Sequence, residues 1–99
     1  MKKSVYALRS EVWLYPRMAG WHFMSVPKKE SEEIKKNFST IRRGFGSLKV
    51  RVTLGSSSWN TSIFPDKKSG MYLLPLKADV RKKEGIRAKD KVSFTISIA

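Results

Sequence analysis

Two stretches of the chain alternate strictly between apolar and polar residues, and this alternation restricts the possible folds more than any other feature. Residues 48–54 carry an apolar side chain at every second position, and residues 92–98 repeat the pattern. Successive side chains of a β-strand point to opposite faces, so each stretch can bury one face and expose the other. We therefore predict two half-buried strands with these core residues: Leu48, Val50, Val52, Leu54, Phe94, Ile96 and Ile98.

Four further segments have the composition of strands, because β-branched and aromatic residues are concentrated between turn-forming ones. They are residues 5–15, 21–26, 59–64 and 71–74. We expect Pro27 and Pro75 to end the second and fifth strands, since proline cannot donate a hydrogen bond to a neighbouring strand. The sequence therefore predicts six strands.

Two helices fit between the strands. The first begins at Pro27 and has glutamates early and lysines late, an order that matches the helix dipole. Its apolar stripe is narrow and consists of Ile34, Phe38 and Ile41. The second helix is predicted at residues 78–84, with Asp79 as a candidate cap and Gly85 as its end.

The order of elements is repeated along the chain. A strand followed by a helix ends at Val26-Pro27, and a second such strand ends at Leu74-Pro75, 48 residues later. This weak repeat predicts a pseudo-two-fold axis within one chain. A chain of 99 residues supports one core and no second domain. We predict that residues 1–99 form a single, mainly β domain, a six-stranded barrel with two short helices.

The chain is strongly basic, with 21 Lys and Arg against 8 Asp and Glu and a net charge of +13. Such a balance implies non-specific affinity for nucleic acid through release of counterions. The alternative is a general surface property, since a high charge across the host proteome or an adaptation to salt gives the same balance. The absence of cysteine excludes disulfides, thiolate nucleophiles and zinc ribbons. The apolar runs are too short to span a membrane or to form a signal-peptide core. We expect a cytoplasmic protein with no membrane contact.

Little in the sequence points to catalysis. It contains no P-loop, no nucleophile elbow and no HExxH motif. His22 is the single histidine, and one histidine with scattered carboxylates does not supply the ligands of a metal site. We expect no catalytic residue, no metal and no cofactor. His22 is kept as a candidate binding residue, against the alternative of a strand histidine that is packed or half exposed.

The loop Arg42-Arg43-Gly44-Phe45-Gly46-Ser47 is the most suggestive segment for binding. Two guanidinium groups, an aromatic ring and exposed backbone N–H groups suit a phosphate or a stacked base. The alternative is a flexible connection with solvated arginines. Arg81 belongs to a second concentration of positive charge, in and after the second helix. The candidate binding residues are Arg42, Arg43, Phe45, Arg81, His22 and Trp59.

Arginine is expected to matter more than lysine if a polyanion binds. The guanidinium offers phosphate a planar pair of donors, whereas an ammonium is a hydrated point charge. The lysines of the first helix also lie among Glu30, Glu32 and Glu33, which lower the local positive potential. We therefore predict that Arg42, Arg43 and Arg81 contribute more than those lysines.

Residues 80–92, from Val80-Arg81 through Gly85-Ile86 to Asp90 and Val92, resemble a segment of the swapped-hairpin transcription regulators of the AbrB/MazE type. In those regulators two short chains build one barrel. The resemblance implies that a chain of about twice their length builds the barrel alone, and we expect a monomer.

A closer resemblance covers nearly the whole chain. It rests on these segments: Trp21-His22-Phe23, Gly44-Phe45-Gly46-Ser47, Trp59-Asn60-Thr61-Ser62-Ile63-Phe64-Pro65, Tyr72-Leu73-Leu74-Pro75 and Val80-Arg81. They look like those of an uncharacterised bacterial family of small double-split β-barrels, a domain of unknown function. Some members are fused to a YdeI/OmpD-associated domain linked to bacteriocin resistance. The resemblance implies a double-split barrel and brings no established activity or catalytic residue.

The function that these observations favour is a non-enzymatic binding module whose basic surface takes nucleic acid or another polyanion. A protein-docking or accessory domain is the first alternative, and an enzyme acting on a small anionic substrate is the second. Exposed aromatic residues beside the basic loop would favour the first of the three. An uncharged apolar patch would favour the docking role. A deep pocket holding His22 with a carboxylate would favour the enzyme.

Overall fold

The structure, a computed structural model, describes residues 4–17, 20–38 and 46–98. These residues form six strands and two helices. The strands are β1 (Val5–Leu14), β2 (His22–Ser25), β3 (Leu48–Leu54), β4 (Ser57–Pro65), β5 (Tyr72–Leu76) and β6 (Lys91–Ile98), and the helices are α1 (Lys28–Asn37) and α2 (Ala78–Glu84). Neither helix is long and apolar enough to cross a bilayer.

The strands form a closed antiparallel barrel in the order β1-β2-β5-β4-β3-β6, and β6 pairs back to β1. Strands β1 and β4 each take part in two sheets, one with β6 and β3 and the other with β2 and β5. The predicted fold, a mainly β double-split barrel of six strands with two helices, is confirmed. All seven predicted core residues are buried on its inner face.

Topology relates the two halves by a pseudo-two-fold axis. Each half runs strand, strand, helix, strand, and exchanging β1 with β4, β2 with β5 and β3 with β6 preserves every neighbouring pair. The residues that precede the helices, Pro27 and Lys77, are equivalent and lie 50 positions apart. With that spacing the axis passes between Met24 and Leu74, which are register partners.

The spacing of the repeat is 50 residues rather than about 48, because Pro75 does not end its strand. Strand β5 continues to Leu76, and Pro75 is the register partner of Phe23. The N–H of Val26 donates to the carbonyl of Tyr72 at 2.8 Å. Hydrogen-bonded pairs recur at every second residue of an antiparallel ladder, so the nitrogen of Pro75 points away from β2. The pairing of β5 with β4 reaches no further than Leu73, and proline is tolerated at such an edge.

Both helices contribute to the core. Ile34 and Phe38 of the predicted apolar stripe are buried, whereas Ile41 lies outside the described residues. From the second half, Val80 and Ile86 join the same cluster. Tyr6 of β1 also approaches α1, where its hydroxyl donates to Glu33 Oε1 at 3.4 Å, and burial raises the pKa of this phenol.

Ser31 links α1 to the β2–β5 pair through hydrogen bonds of its side chain. Its buried hydroxyl donates to the carbonyl of Val26 at 2.8 Å and accepts from the N–H of Tyr72 at 2.9 Å. The side chain thus provides hydrogen-bond partners for two backbone groups at the end of the β2–β5 ladder. Buried backbone groups require such partners, since an unpaired one is costly.

Glu84 fastens the end of α2 to the β3–β4 hairpin. Its Oε2 accepts from Ser57 at 2.7 Å and from Ser56 at 3.0 Å. These hydroxyls lower the pKa of the Glu84 carboxyl, with the bond from Ser57 as the largest cause. Gly55 in the hairpin turn has a φ of +59°, and a Cβ there would overlap the Glu84 carboxylate. The turn therefore requires glycine for both its conformation and its space.

Replacing Ser31 with alanine leaves the buried N–H of Tyr72 without its acceptor. We expect a loss of about 2 kcal/mol in the free energy of unfolding and a melting temperature roughly 10 °C lower. Thermal unfolding followed by circular dichroism measures this, with Ser58→Ala on the exposed face of β4 as the control. Equal melting temperatures for the two variants would contradict the role given to Ser31.

The contribution of the Glu84 carboxylate to the stability of the fold should depend on pH. A carboxyl whose pKa is lowered on folding stabilises the fold above its unfolded pKa, and this contribution disappears as the pH falls through the folded pKa. We expect acidification from about pH 6 to about pH 3 to lower the melting temperature less in Glu84→Gln than in the wild type. Glu32→Gln, an exposed carboxylate on α1, should retain the wild-type dependence. A Glu84→Gln profile parallel to that of the wild type would rule out the contribution.

Candidate functional site

A cavity of about 250 Å³ lies where β2 begins, β5 ends and α2 starts. Short side chains and backbone form part of its wall. Its lining consists of Gly20, Trp21, His22, Pro75, Leu76, Lys77, Ala78 and Arg81. The charged lining residues, Lys77 and Arg81, are both cationic, so the cavity favours an anion.

Arg81 is the least satisfied polar group of this lining. It is half-buried, and its Nε is buried with no hydrogen-bond partner among the described residues. A buried guanidinium donor normally has a partner, because leaving one unpaired costs free energy. The guanidinium of Arg81 thus has no fixed partner at Nε, and the exposed Lys77 adds a second positive charge to the same lining.

The pseudo-two-fold axis relates the cavity to a position in the first half that Ser31 closes. Arg81 and Ser31 are equivalent, since the N–H of each donates to the residue before its helix, Lys77 at 3.0 Å and Pro27 at 2.8 Å. In the first half the Ser31 hydroxyl bridges two backbone groups. Those groups belong to Val26 and Tyr72. At the symmetry-related position the corresponding residues are Leu76 and His22, and both line the cavity. One half therefore has a sealed site and the other an open one.

His22 is held at the rim of the cavity by a local hydrogen bond. Its Nδ1 lies 2.9 Å from the carbonyl oxygen of Gly20. A carbonyl only accepts, so Nδ1 carries the proton and the ring is fixed in one orientation. The half-buried ring can then present its other edge to a ligand.

Four aromatic rings lie together beside the cavity. Phe23 is at the centre, with ring centroids 5.4 Å from Trp13, 5.6 Å from Tyr15 and 6.0 Å from Trp21. Trp13 and Tyr15 are also in contact, at 6.2 Å. We call these four residues the aromatic cluster. Trp21 belongs to both the cluster and the cavity lining, which makes one continuous surface.

The aromatic cluster is outside the barrel core. Trp13 and Phe23 are register partners, and each alternates along its strand with a core residue, Val12 or Met24. Phe23 is buried beneath its aromatic neighbours but is not part of the core cluster. Trp21 remains 49% exposed, one of the most exposed large apolar residues in the described ranges. These rings therefore fill no space inside the barrel.

A family model described as a domain of unknown function, DUF1905, matches residues 9–96. The chain belongs to the DUF1905 family. No curated protein matches it. The match covers all but the ends of the barrel and includes both the cavity and the aromatic cluster.

The six residues predicted for binding have different positions in this DUF1905 domain. His22 and Arg81 come together in the cavity lining. Trp59 is only 9% exposed and belongs to the barrel core, so it is left out of the proposed site. Arg42, Arg43 and Phe45 lie outside the described residues.

Sequence reasoning missed Trp21, Lys77 and the rest of the aromatic cluster. The signal was available in the alternation of β1 and β2. Residues 13 and 15 share one parity before a short connection, and residues 21 and 23 share one parity after it. Adjacent antiparallel strands bring such residues to one face. The proximity of Arg81 could not be found in this way, because it depends on how α2 packs.

A second, larger depression lies on the outer face of the other sheet of the DUF1905 barrel. It measures about 650 Å³ and includes Lys49 and Arg51 of β3 in its lining. Arg51 Nη1 donates to Asn60 Oδ1 at 3.1 Å across the strands. The remaining lining is short and mostly polar, without an aromatic ring. In the described residues, no three histidine, aspartate or glutamate side chains are grouped as a metal site requires.

Proposed function

We propose that this DUF1905 domain is a non-enzymatic binding module for polyanions, with nucleic acid as the leading class. One observation carries the proposal. The half-exposed Trp21 shares a cavity with Lys77 and with Arg81, whose buried Nε has no partner. An aromatic face beside two cations provides for both parts of a nucleotide, the base and the phosphate.

The overall charge supports a polymeric rather than a small ligand. A net charge of +13 on 99 residues attracts an anionic polymer from several directions and releases many counterions when it binds. The cavity would then fix one point of a longer contact. Lys82 and Lys83 are exposed next to it on α2 and would supply weaker, non-specific attraction.

Two other functions remain as alternatives. Protein docking is favoured by the exposed apolar residues Leu14, Trp21 and Phe64, which are 50%, 49% and 44% accessible. Catalysis on a small anion would need a proton acceptor beside His22. The charged residues of the cavity lining described by the structure are cations, and this favours holding an anion over transferring a proton.

Replacing Arg81 with glutamine removes the guanidinium from the cavity. We expect affinity for a single-stranded oligonucleotide to fall about tenfold, since hydrogen bonds to charged groups contribute about 1.5–3 kcal/mol. The slope of log K against log salt should flatten by about 0.7. Fluorescence anisotropy of a labelled oligonucleotide across a range of salt concentrations measures both quantities. The melting temperature should not fall, because the Nε makes no hydrogen bond that would be lost.

Lys82→Gln is the matched control, since it removes one positive charge from the neighbouring, exposed position of the same helix. We expect a loss of less than about twofold, as is typical of a solvated charge that makes no fixed contact. Equal losses in the two variants would mean that bulk charge alone is at work. Absence of any binding by the wild type at physiological salt would remove the proposal and leave protein docking as the leading function.

The monomer expected from the sequence is also proposed as the functional form. One chain supplies all six strands, so closing the barrel requires no second copy. The resemblance to the AbrB/MazE-type regulators, whose two chains share one barrel, supports the same proposal. We expect light scattering after size exclusion to give a mass near 11.4 kDa at micromolar concentration. A mass twice as large would contradict it.

A further inference from the structure

We propose that the aromatic cluster of Trp13, Tyr15, Trp21 and Phe23 is a stacking surface for unpaired bases, which makes the partner a single-stranded nucleic acid. The inference rests on the proposed binding of polyanions and narrows it. Positive charge alone does not distinguish a single strand from a duplex or from polyphosphate. Aromatic side chains that stack on the faces of unpaired bases do distinguish a single strand from a duplex and from polyphosphate.

The position of the cluster argues for a ligand rather than for folding. Trp13 and Phe23 alternate with the core residues Val12 and Met24 and point away from the barrel, and none of the four rings belongs to the core cluster. Phe23 is 8% exposed beneath the other rings, whereas Trp21 is 49% exposed. Phe23 is thus the buried inner ring of the cluster, and Trp21 is its exposed outer ring.

The rings are held in place before any ligand arrives. Trp13 Nε1 donates to Ser25 Oγ at 3.1 Å, which fixes the indole against β2. Phe23 is surrounded by three rings at 5.4–6.0 Å, and the outward position of Trp21 rests on this support. A stacking surface of ordered rings loses little side-chain entropy on binding.

Charge complementarity identifies the occupant. Trp21 lines the cavity that contains Lys77 and Arg81, so a base on the indole would place its own phosphate beside two cations. Glu11 is the one acidic residue of β1, and its register partner is Lys91, a cation. An anionic chain with exposed flat rings fits this combination, whereas a duplex keeps its base faces stacked inside.

The test pairs a change in the protein with a change in the ligand. The probes are a single-stranded oligonucleotide of about 12 nucleotides, the same strand with abasic sugars replacing its central bases, and the corresponding duplex. The abasic strand keeps every phosphate and loses only the base faces. The protein variants are Trp21→Ala and Phe64→Ala, the latter an exposed aromatic residue of β4 outside the cluster. Thermal unfolding verifies that each variant is folded.

We expect Trp21→Ala to bind the intact strand about tenfold more weakly than the wild type, with Trp21→Phe restoring most of the loss. The wild type should bind the abasic strand about tenfold more weakly than the intact strand. Trp21→Ala should bind the two strands with almost the same affinity. Such non-additivity places the base and the indole in one contact. Phe64→Ala should change affinity less than about twofold.

Several results would overturn the inference. Equal wild-type affinity for the intact and abasic strands would exclude stacking, as would equal affinity for single strand and duplex. Equal losses in Trp21→Ala and Phe64→Ala would assign the effect to general apolar contact, as in docking to a protein. In each case the sensitivity to Arg81→Gln would stand, so the broader proposal would survive. Only the failure of all three probes to bind would remove both.

Discussion

Closure of the barrel by β6 is the constraint on which the other features depend. This strand pairs with β1 over seven register positions and with β3 over four, so the first and last strands of the chain are neighbours. Pairing on both sides leaves β6 no free edge to attract another chain. It also defines an inside and an outside for every strand. Formation of the barrel must wait for contacts between distant parts of the chain, which favours slow, cooperative folding.

The outer surface of the barrel is divided between two kinds of chemistry. The sheet that contains β3 and β6 carries hydroxyl, amide and basic side chains, such as Thr53, Asn60 and Arg51. The sheet that contains β2 carries the aromatic cluster instead. Because the barrel interior is already filled, this difference has no packing cause within the domain. An exposed aromatic surface of this kind is what the proposed binding function requires.

Much of the fold could be predicted from local pattern, and the reasons for the errors are specific. Strict alternation identified β3 and β6 and their buried faces, because period two is a property of a single strand. The end of β5 was misplaced at Pro75, since the tolerance of a strand for proline depends on which neighbour its nitrogen faces. The same error shifted the repeat by two residues. Trp59 was a candidate binding residue, but the parity of β4 puts it in the core.

The candidate site was harder to predict because its parts belong to different elements. His22 and Arg81 are 59 residues apart in sequence and meet only when α2 packs across the end of β2 and β5. The sequence around either residue does not predict that the two lie close together. The pseudo-two-fold axis makes the position of Arg81 equivalent to that of Ser31. This equivalence could not be predicted, because it depends on the strand register of the folded chain.

The relation between Ser31 and Arg81 has an evolutionary consequence. A barrel assembled from two identical subunits would have to keep the same residue at both positions, so each mutation would alter both sites at once. Joining the halves in a single polypeptide removes that restriction. One position can then be fixed by selection for stability, as a buried serine, while the other is free to vary independently. Variation among relatives should accordingly be unequal at two positions that symmetry makes equivalent.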